Sequence, residues 1–555
     1  MPEGTQVPES TAVRDAERDA LGSPFVTRTP RARRSRRAAL PPAPLPLWLA
    51  VLVAIGAGPV LAAGFPGQNL WPLTFVGIGM VLLAQRGRTS GNAFLVGWLA
   101  GEAFYLVHVS WTSLYLGPVP WVALSTLEAL FWGAGGVLLT LAYRWVPRAW
   151  PGIAGRLGLV PVIVAGLWVL REYVTGNWPY GGFSWGRVAE SQSLSPYAPL
   201  VAWLGISGLS FVMVWLVALL IELFFAVDVR ALVRGAVAAG AIALVLAVPS
   251  WPATTHGTTR IAAVQGNGPA GYFDNAPEGA VLDTQITETL KIPASQSTGD
   301  KKLDMVVWPE GAAQPDPTRD PGTASVLDLL SRKFGAPFIV GTITYRDGKY
   351  FNTSLQWEAG KGAVDYYDKK HPVPFGEYVP DRSFWRPLAP SLIDLIGRDY
   401  SPGTRDNVFD VGGVRAGISI CFDIVDDQLL TDMMDDGAQV ILAQTNNADF
   451  GKTDENEQQL AIARLRAIES GRALVNISTV GSSQIIAQDG KTITEIPPFQ
   501  PGHMVADVPL GTTTTPSTLL SRGIEFLVAG LGLFGLLAAA LCRRLPAPVI
   551  RKPPA

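Results

Sequence analysis

Cysteine is nearly absent from this chain: Cys421 and Cys542 are the only two among 555 residues. Two thiols make no disulfide framework. There is no Cys-x-x-Cys pair and the four His are scattered, so no metal and no cofactor is expected. Charge is also scarce. Charged residues are 16% of the total, with 44 Lys and Arg against 46 Asp and Glu. The basic residues cluster beside apolar runs instead of along one segment, so a nucleic-acid partner is not expected.

What the chain has in place of charge is apolar length. Runs near the roughly 20 residues a bilayer span needs fall at 46–64, 70–85, 91–110, 120–143, 157–171, 198–224, 233–251 and 524–541. These eight stretches predict a polytopic α-helical bundle. Lys and Arg at span ends orient such a bundle. The arm holds Arg31, Arg33, Arg34, Arg36 and Arg37, and alternate turns hold Arg86 and Arg88, then Arg144, Arg148 and Arg156, then Arg230 and Arg234. The tail holds Arg543, Arg544, Arg551 and Lys552. With the arm inside, every cluster falls in the cytoplasm and the segment between the last two spans falls outside. The domains expected are a disordered basic cytoplasmic arm at 1–44, a seven-span bundle at 45–252, an extracytoplasmic domain at 253–520, an eighth helix at 521–542 and a cytoplasmic tail at 543–555. A competing reading takes Ser35-Arg36-Arg37 and the first span as an export signal cleaved near Leu61-Ala62-Ala63. It leaves 253–520 on the same side.

From Thr259 short apolar runs alternate with helical patterns. Strands are expected at 260–265, 305–308, 337–343, 354–357, 414–420, 440–444, 473–478 and 483–487, and helices at 280–290, 324–333, 426–435 and 455–470. In the last helix Leu460, Ile462, Ala463, Leu465 and Ala467 form the apolar stripe, and Arg464, Arg466 and Glu469 mark a polar side. Strands alternating with helices predict α/β layers.

Three strand ends carry potential chemistry. Trp308-Pro309-Glu310 stops an apolar strand and places a carboxylate just beyond it. Tyr367-Asp368-Lys369-Lys370-His371 sets a lysine pair among aromatics and prolines. The run 417–423 ends on Cys421. Singly, each has a bland reading: a solvated loop carboxylate, surface charge, a core thiol. Together they fit acyl transfer through a thioester, which needs a base for the thiol proton, a positive charge for the oxyanion and a sulfur nucleophile.

At these residues the sequence resembles the nitrilase, or carbon–nitrogen hydrolase, superfamily, over about 255–500. The resemblance implies an α-β-β-α sandwich with Glu310 as general base, Lys369 as oxyanion stabiliser and Cys421 as nucleophile. Lys369 is preferred to Lys370 because the family lysine stands two residues before the His. From end to end the chain is similar to the membrane-embedded branch of that superfamily, the bacterial apolipoprotein N-acyltransferases, and its Arg and Ala content suggests an actinobacterial type. The run Val373-Pro374-Phe375-Gly376-Glu377-Tyr378-Val379-Pro380 is close to that family's and makes Glu377 its second essential carboxylate. Phe422 and Asp423 stand where many members have Tyr-Glu, and Asp449 stands where many have Trp; the character of the positions is partly kept, and the family's detailed substrate contacts are not carried over to them.

The implied reaction moves an acyl chain from a membrane phospholipid to Cys421. It then passes to the α-amine of a diacylglyceryl-cysteine on an apolipoprotein, in the bacterial cytoplasmic membrane. The same resemblance suggests a polyprenol-phosphate mannosyltransferase as an associate. For the aromatic outer loop at 171–191, with Tyr173, Trp178, Tyr180, Phe183 and Trp185, two readings stand: an acyl-chain entrance and an interfacial aromatic belt. Two further functions compete with acyl transfer. One is a tethered nitrilase-type amidohydrolase, which needs one span and not eight. The other is a non-catalytic envelope scaffold or transporter. A transport path calls for intramembrane charge, of which Glu102, Glu128 and Glu222 are the clearest cases.

Overall fold

The computed structural model describes residues 43–543. The basic arm, up to residue 42, and the tail beyond 543 lie outside the described residues. Each stretch expected to span is helical: Leu47–Gly64, Pro72–Gln85, Ser90–His108, Pro118–Ala149, Val160–Thr175, Val201–Phe225, Ala231–Leu246 and Gly523–Cys542. Among the described residues, five helical stretches are both long and apolar enough to cross a membrane: 47–64, 118–149, 154–175, 198–225 and 523–542. Pro72–Gln85 and Ala231–Leu246 are apolar but shorter. The last of these ends before the expected limit of 251, because Pro249 and Pro252 follow and the residue before a proline is driven from the helical region.

The basic groups of three turns meet at one end of the bundle. Arg144 donates to the Arg88 carbonyl at 2.7 Å, Arg156 pairs with Asp228 at 2.5 Å, and Arg234 donates to the Phe224 carbonyl at 3.1 Å. Arg86 pairs with the buried Glu222, so one of the intramembrane carboxylates is neutralised within the bundle.

Between the last two of these helices the chain builds twelve strands. They are β1 (Thr255–Gln265), β2 (Met305–Val307), β3 (Phe338–Arg346), β4 (Lys349–Glu358), β5 (Gly362–Asp368), β6 (Val408–Val411), β7 (Val414–Ile420), β8 (Val440–Thr445), β9 (Ala473–Ser478), β10 (Ser483–Ile486), β11 (Thr492–Ile496) and β12 (Gly502–Gly511). They form two six-stranded sheets, ordered β12-β1-β2-β3-β4-β5 and β11-β10-β9-β8-β7-β6. The eight expected strands are present, with β4 starting earlier than 354. The four that sequence did not indicate, β5, β6, β11 and β12, are the four sheet edges. An edge strand is paired on one side only, so it tolerates polar residues and a proline, here Pro509 in β12.

Alternation along each strand makes the layers. Ile261, Ala263, Met305, Val307 and Ile339 face Ile418, Ile420, Leu442 and Val475 between the sheets. Val306, Phe338 and Val340 face the other way, onto Leu282, Leu327 and Leu330 of the Ala280–Thr289 and Pro321–Phe334 helices. On the second sheet's outer face, Ile441, Ala443 and Leu474 pack on the Glu455–Ser470 helix, and that apolar cluster runs on without a break into the bundle through Trp185, Val188 and Val201. Each large apolar side chain buried there contributes about 1.5–3 kcal/mol, so the sandwich and the bundle are one packed body.

That packing corrects the expected polar side of the Glu455–Ser470 helix. Arg466 is fully buried and Arg464 and Glu469 nearly so. The helix lies between a sheet and the bundle, so Arg466 pairs with Asp427 and Glu469, and Arg464 donates to the Gly490 carbonyl and to Gln484. The loop expected at 171–191 is also shorter. Arg171 to Thr175 complete the preceding helix, and Val188–Gln192 is a short 3-10 turn.

Candidate active site

Strand β2 is wholly buried and Trp308 anchors its end by donating its indole N–H to Thr289 at 3.0 Å. Pro309 then stops the ladder. Position 341 beside this turn has to be glycine: a Cβ there would come 2.4 Å from the Pro309 carbonyl oxygen and 2.6 Å from the Glu310 Cα. The turn presents Glu310, whose Oε1 accepts from Asn352 Nδ2 at 2.6 Å. The same amide donates to Glu377 Oε1 at 2.8 Å, so one side chain of β4 ties two carboxylates together.

Lys369 follows the edge strand β5. Its backbone N–H donates to the Asn352 carbonyl at 2.9 Å, and its fully buried ammonium lies 2.8 Å from Glu377 Oε2. Glu377 Oε2 also accepts from the Val373 N–H at 2.7 Å. Lys370 points elsewhere, to Asp432 at 3.5 Å. Cys421 ends β7 and opens a short 3-10 turn, Cys421–Val425, with φ of 51°. Such a left-handed conformation in a non-glycine residue costs about 1–3 kcal/mol and persists only where its surroundings impose it. Glu310 Oε2 is buried with no partner of hydrogen-bonding geometry, and the Cys421 thiol is its neighbouring donor. The fold thus gathers Glu310, Lys369 with Glu377, and Cys421 from three separate stretches.

The electrostatics follow from burial. Desolvation pushes the Cys421 thiol well above its ordinary range, the Glu310 charge adds to this and Lys369 opposes it. Desolvation raises the Glu310 carboxyl too; Lys369 pulls it down and Glu377 pushes it further up. For Lys369 desolvation works against the ammonium, yet Glu377 first, then Cys421 and Glu310, hold it well above the usual lysine range. The arrangement sets a thiol that burial holds in its protonated form beside a carboxyl group of raised basicity and a fixed cation. It can make a thiolate only by local proton transfer, and it can stabilise negative charge developing beside the sulfur.

The supporting residues divide. Phe422 stacks on Phe183 at 6.0 Å and on Trp185 at 6.1 Å, with interplanar angles of 12° and 5°. Trp185 is buried and donates to Gln458 Oε1 at 2.7 Å, as Trp111 does at 3.1 Å. An aromatic wall therefore connects the bundle to the residue after the nucleophile. Asp423 accepts from the Tyr367 hydroxyl at 3.0 Å and the Ile420 N–H at 3.2 Å, and burial pushes it up to about 7. Asp449 accepts from the Tyr272 N–H at 2.7 Å, and burial pushes it up to about 6. Trp178 is not gathered with these groups: it is 63% exposed and stands edge-on to Phe131 of the Pro118–Ala149 helix.

Sequence reasoning missed several groups at the site. Asn352 sits inside a strand with no motif around it. Asp427 accepts from Arg187 of the bundle at 2.8 Å and from Arg466 at 2.5 Å, and both guanidinium groups also hold the Val425 carbonyl. This clamp fixes the turn that carries Cys421. Its one sequence signal was Asp426-Asp427 just after that turn. Three further buried residues, Asn447, Glu455 and Gln459, form a hydrogen-bonded group that reaches Cys421 through Gln459.

Residues 57–219 match the family model described as the apolipoprotein N-acyltransferase N-terminal domain, and residues 260–515 match that of carbon-nitrogen hydrolase. The chain is 31% identical to the apolipoprotein N-acyltransferase of Mycolicibacterium smegmatis, over 90% of this chain and 88% of that protein. It is 27% identical to the enzyme of the same name from Photobacterium profundum, over 85% of this chain and 91% of that one. For that of Azotobacter vinelandii the identity is 28%, over 90% and 96%.

Proposed function

This chain belongs to the apolipoprotein N-acyltransferase family, and on that premise we propose that its acyl group travels on Cys421, with Glu310 and Lys369 as the acid–base and electrostatic partners. The enzyme is an acyltransferase that N-acylates lipoproteins. The observation that carries the assignment of residues is the fully buried Lys369 ammonium, held by Glu377 beside Glu310 and Cys421.

Glu310 takes the thiol proton as the sulfur attacks the ester carbonyl of a membrane phospholipid. The oxyanion of the tetrahedral intermediate forms against Lys369. The C–O bond then breaks, Glu310 returns the proton to the departing alkoxide, and a lysophospholipid leaves. In the second half the α-amine of a diacylglyceryl-cysteine attacks the thioester, Glu310 takes the amine proton, and collapse breaks the C–S bond as Glu310 passes that proton to the departing sulfur, which restores the thiol and the carboxylate. Lys369 keeps its proton throughout. Glu377 fixes the ammonium in place, and Asn352 bridges the two carboxylates.

The proposed placement is eight spans in a bacterial cytoplasmic membrane, with 253–520 extracytoplasmic, the arm and tail inside, and the active site against the outer leaflet. The meeting of Arg88, Arg144, Arg156 and Arg234 at one end of the bundle supports this orientation. The continuity of the apolar cluster from the bundle to the sandwich supports a role on substrates whose acyl chains stay in the bilayer. Purified Cys421→Ala, given phospholipid and a diacylated lipopeptide, is expected to make no triacylated product while still inserting in the membrane. Product formation at the wild-type rate would sink the assignment.

A further inference from the structure

One network beside Cys421 has no part in the proton transfers just described. Strand β8 runs parallel to β7, with Gln444 in register with Ile420, so the turn after β8 lies next to the nucleophile. Asn447 in that turn is buried, and its amide makes four bonds. Its Oδ1 accepts from Ser478 Oγ at 2.5 Å and Thr445 Oγ1 at 3.1 Å. Its Nδ2 donates to Glu455 Oε2 at 2.8 Å and to Gln459 Oε1 at 2.7 Å. Glu455 and Gln459 are four apart on the Glu455–Ser470 helix, hence on one face, and each is only 2% exposed.

This pattern settles which way the Gln459 amide points. Its oxygen is taken by Asn447, so its nitrogen faces the other way, where it donates to Cys421 Sγ at 3.7 Å. A neutral N–H aimed at sulfur favours thiolate over thiol without adding a charge that Glu310 or Lys369 would feel. It acts wherever the sulfur carries negative charge: as the thiol loses its proton, and again when the amine expels sulfur from the thioester.

We propose that Gln459 is a further catalytic residue, the hydrogen-bond donor that stabilises the Cys421 thiolate, and that Asn447 and Glu455 are positioning residues that lock its amide in that orientation. The inference rests on Cys421 being the nucleophile. The titratable groups that face the sulfur are Glu310, Lys369, Glu377 and Glu455, the last pushed up to about 8 by burial. Replacing Gln459 by the similarly shaped Met alters none of these charges.

The test uses the full chain with Cys542→Ala, so that Cys421 is the one thiol, in detergent micelles without phospholipid for alkylation, phospholipid being added only for the acylation runs. Alkylation by iodoacetamide is followed across pH, with single-turnover acylation measured alongside. In Gln459→Met, alkylation at neutral pH is expected to slow about 10- to 100-fold, the range for a hydrogen bond to a charged group, and the thiol titration to move upward. Acylation should slow by a similar factor with no change in the phospholipid concentration giving half its maximal rate. Asn447→Asp gives an independent reading: it leaves Gln459 in place but puts an acceptor where Nδ2 was, which turns the Gln459 oxygen to the sulfur. The same loss is expected there, whether or not the Met variant folds. A wild-type alkylation profile in either folded variant would overturn the proposal. Absence of an acyl adduct on wild-type Cys421 would instead overturn the reading beneath it.

Discussion

Glu310, Lys369 and Cys421 were legible because each closes or follows a strand with a short motif, and the fold brings these three together. Asn352 and Gln459 were not legible. An amide inside a strand or helix has no periodic signature, and its meaning comes from partners far along the chain. Removing the cation by Lys369→Met is expected to lower acylation of Cys421 by about 10²–10³-fold, the cost of losing one oxyanion donor, read as single-turnover adduct formation. The pH dependence has a definite sign. Glu310 works as a base only when ionised, and burial has raised its carboxyl. Acylation should therefore fall as pH drops through a value above the roughly 4.3 of a free glutamate. Glu310→Gln should remove that limb together with nearly all activity, and a limb at or below the free value would contradict the assignment.

Among the elements, the interior strands were legible and the edges were not, because an edge strand lacks the second neighbour that demands a β-branched, two-sided apolar run. The Glu455–Ser470 helix was legible by its stripe and misread on its other side, where Arg466, held between sheet and bundle, pairs within the protein. That pairing is testable. Arg466, itself without solvent access, bridges Asp427 and Glu469, and Arg466→Met leaves Glu469 without its cation and Asp427 with Arg187 alone. A loss of about 3 kcal/mol is expected, visible as a lowered unfolding midpoint. Despite burial, Arg187 and Arg466 hold the Asp427 carboxyl well below its ordinary value. Its contribution to stability is therefore complete above the unfolded value near ~3.9 and disappears as pH falls through the lower folded one. Asp427→Asn should flatten that acid slope in thermal unfolding, and an unchanged slope would assign it to other groups.

For the whole molecule, composition made the helical stretches legible, but not the way the bundle joins the sandwich, which depends on Arg187, Trp111 and Trp185 reaching Asp427, Gln458 and Phe422. Topology has a direct check: Lys361→Cys, at an exposed turn before β5, should react in intact cells with a membrane-impermeant maleimide, and protection until lysis would reverse the proposed sidedness. The central claim is that one protein in one membrane carries an acyl chain on Cys421 between two lipid substrates. Mass spectrometry of the wild-type protein after incubation with phospholipid bilayers, without acceptor, tests this most directly. The account predicts a gain of one acyl chain on the Cys421 peptide, labile to hydroxylamine and discharged when diacylated lipopeptide is added. Active enzyme with no adduct, or with the chain on another residue, would contradict it.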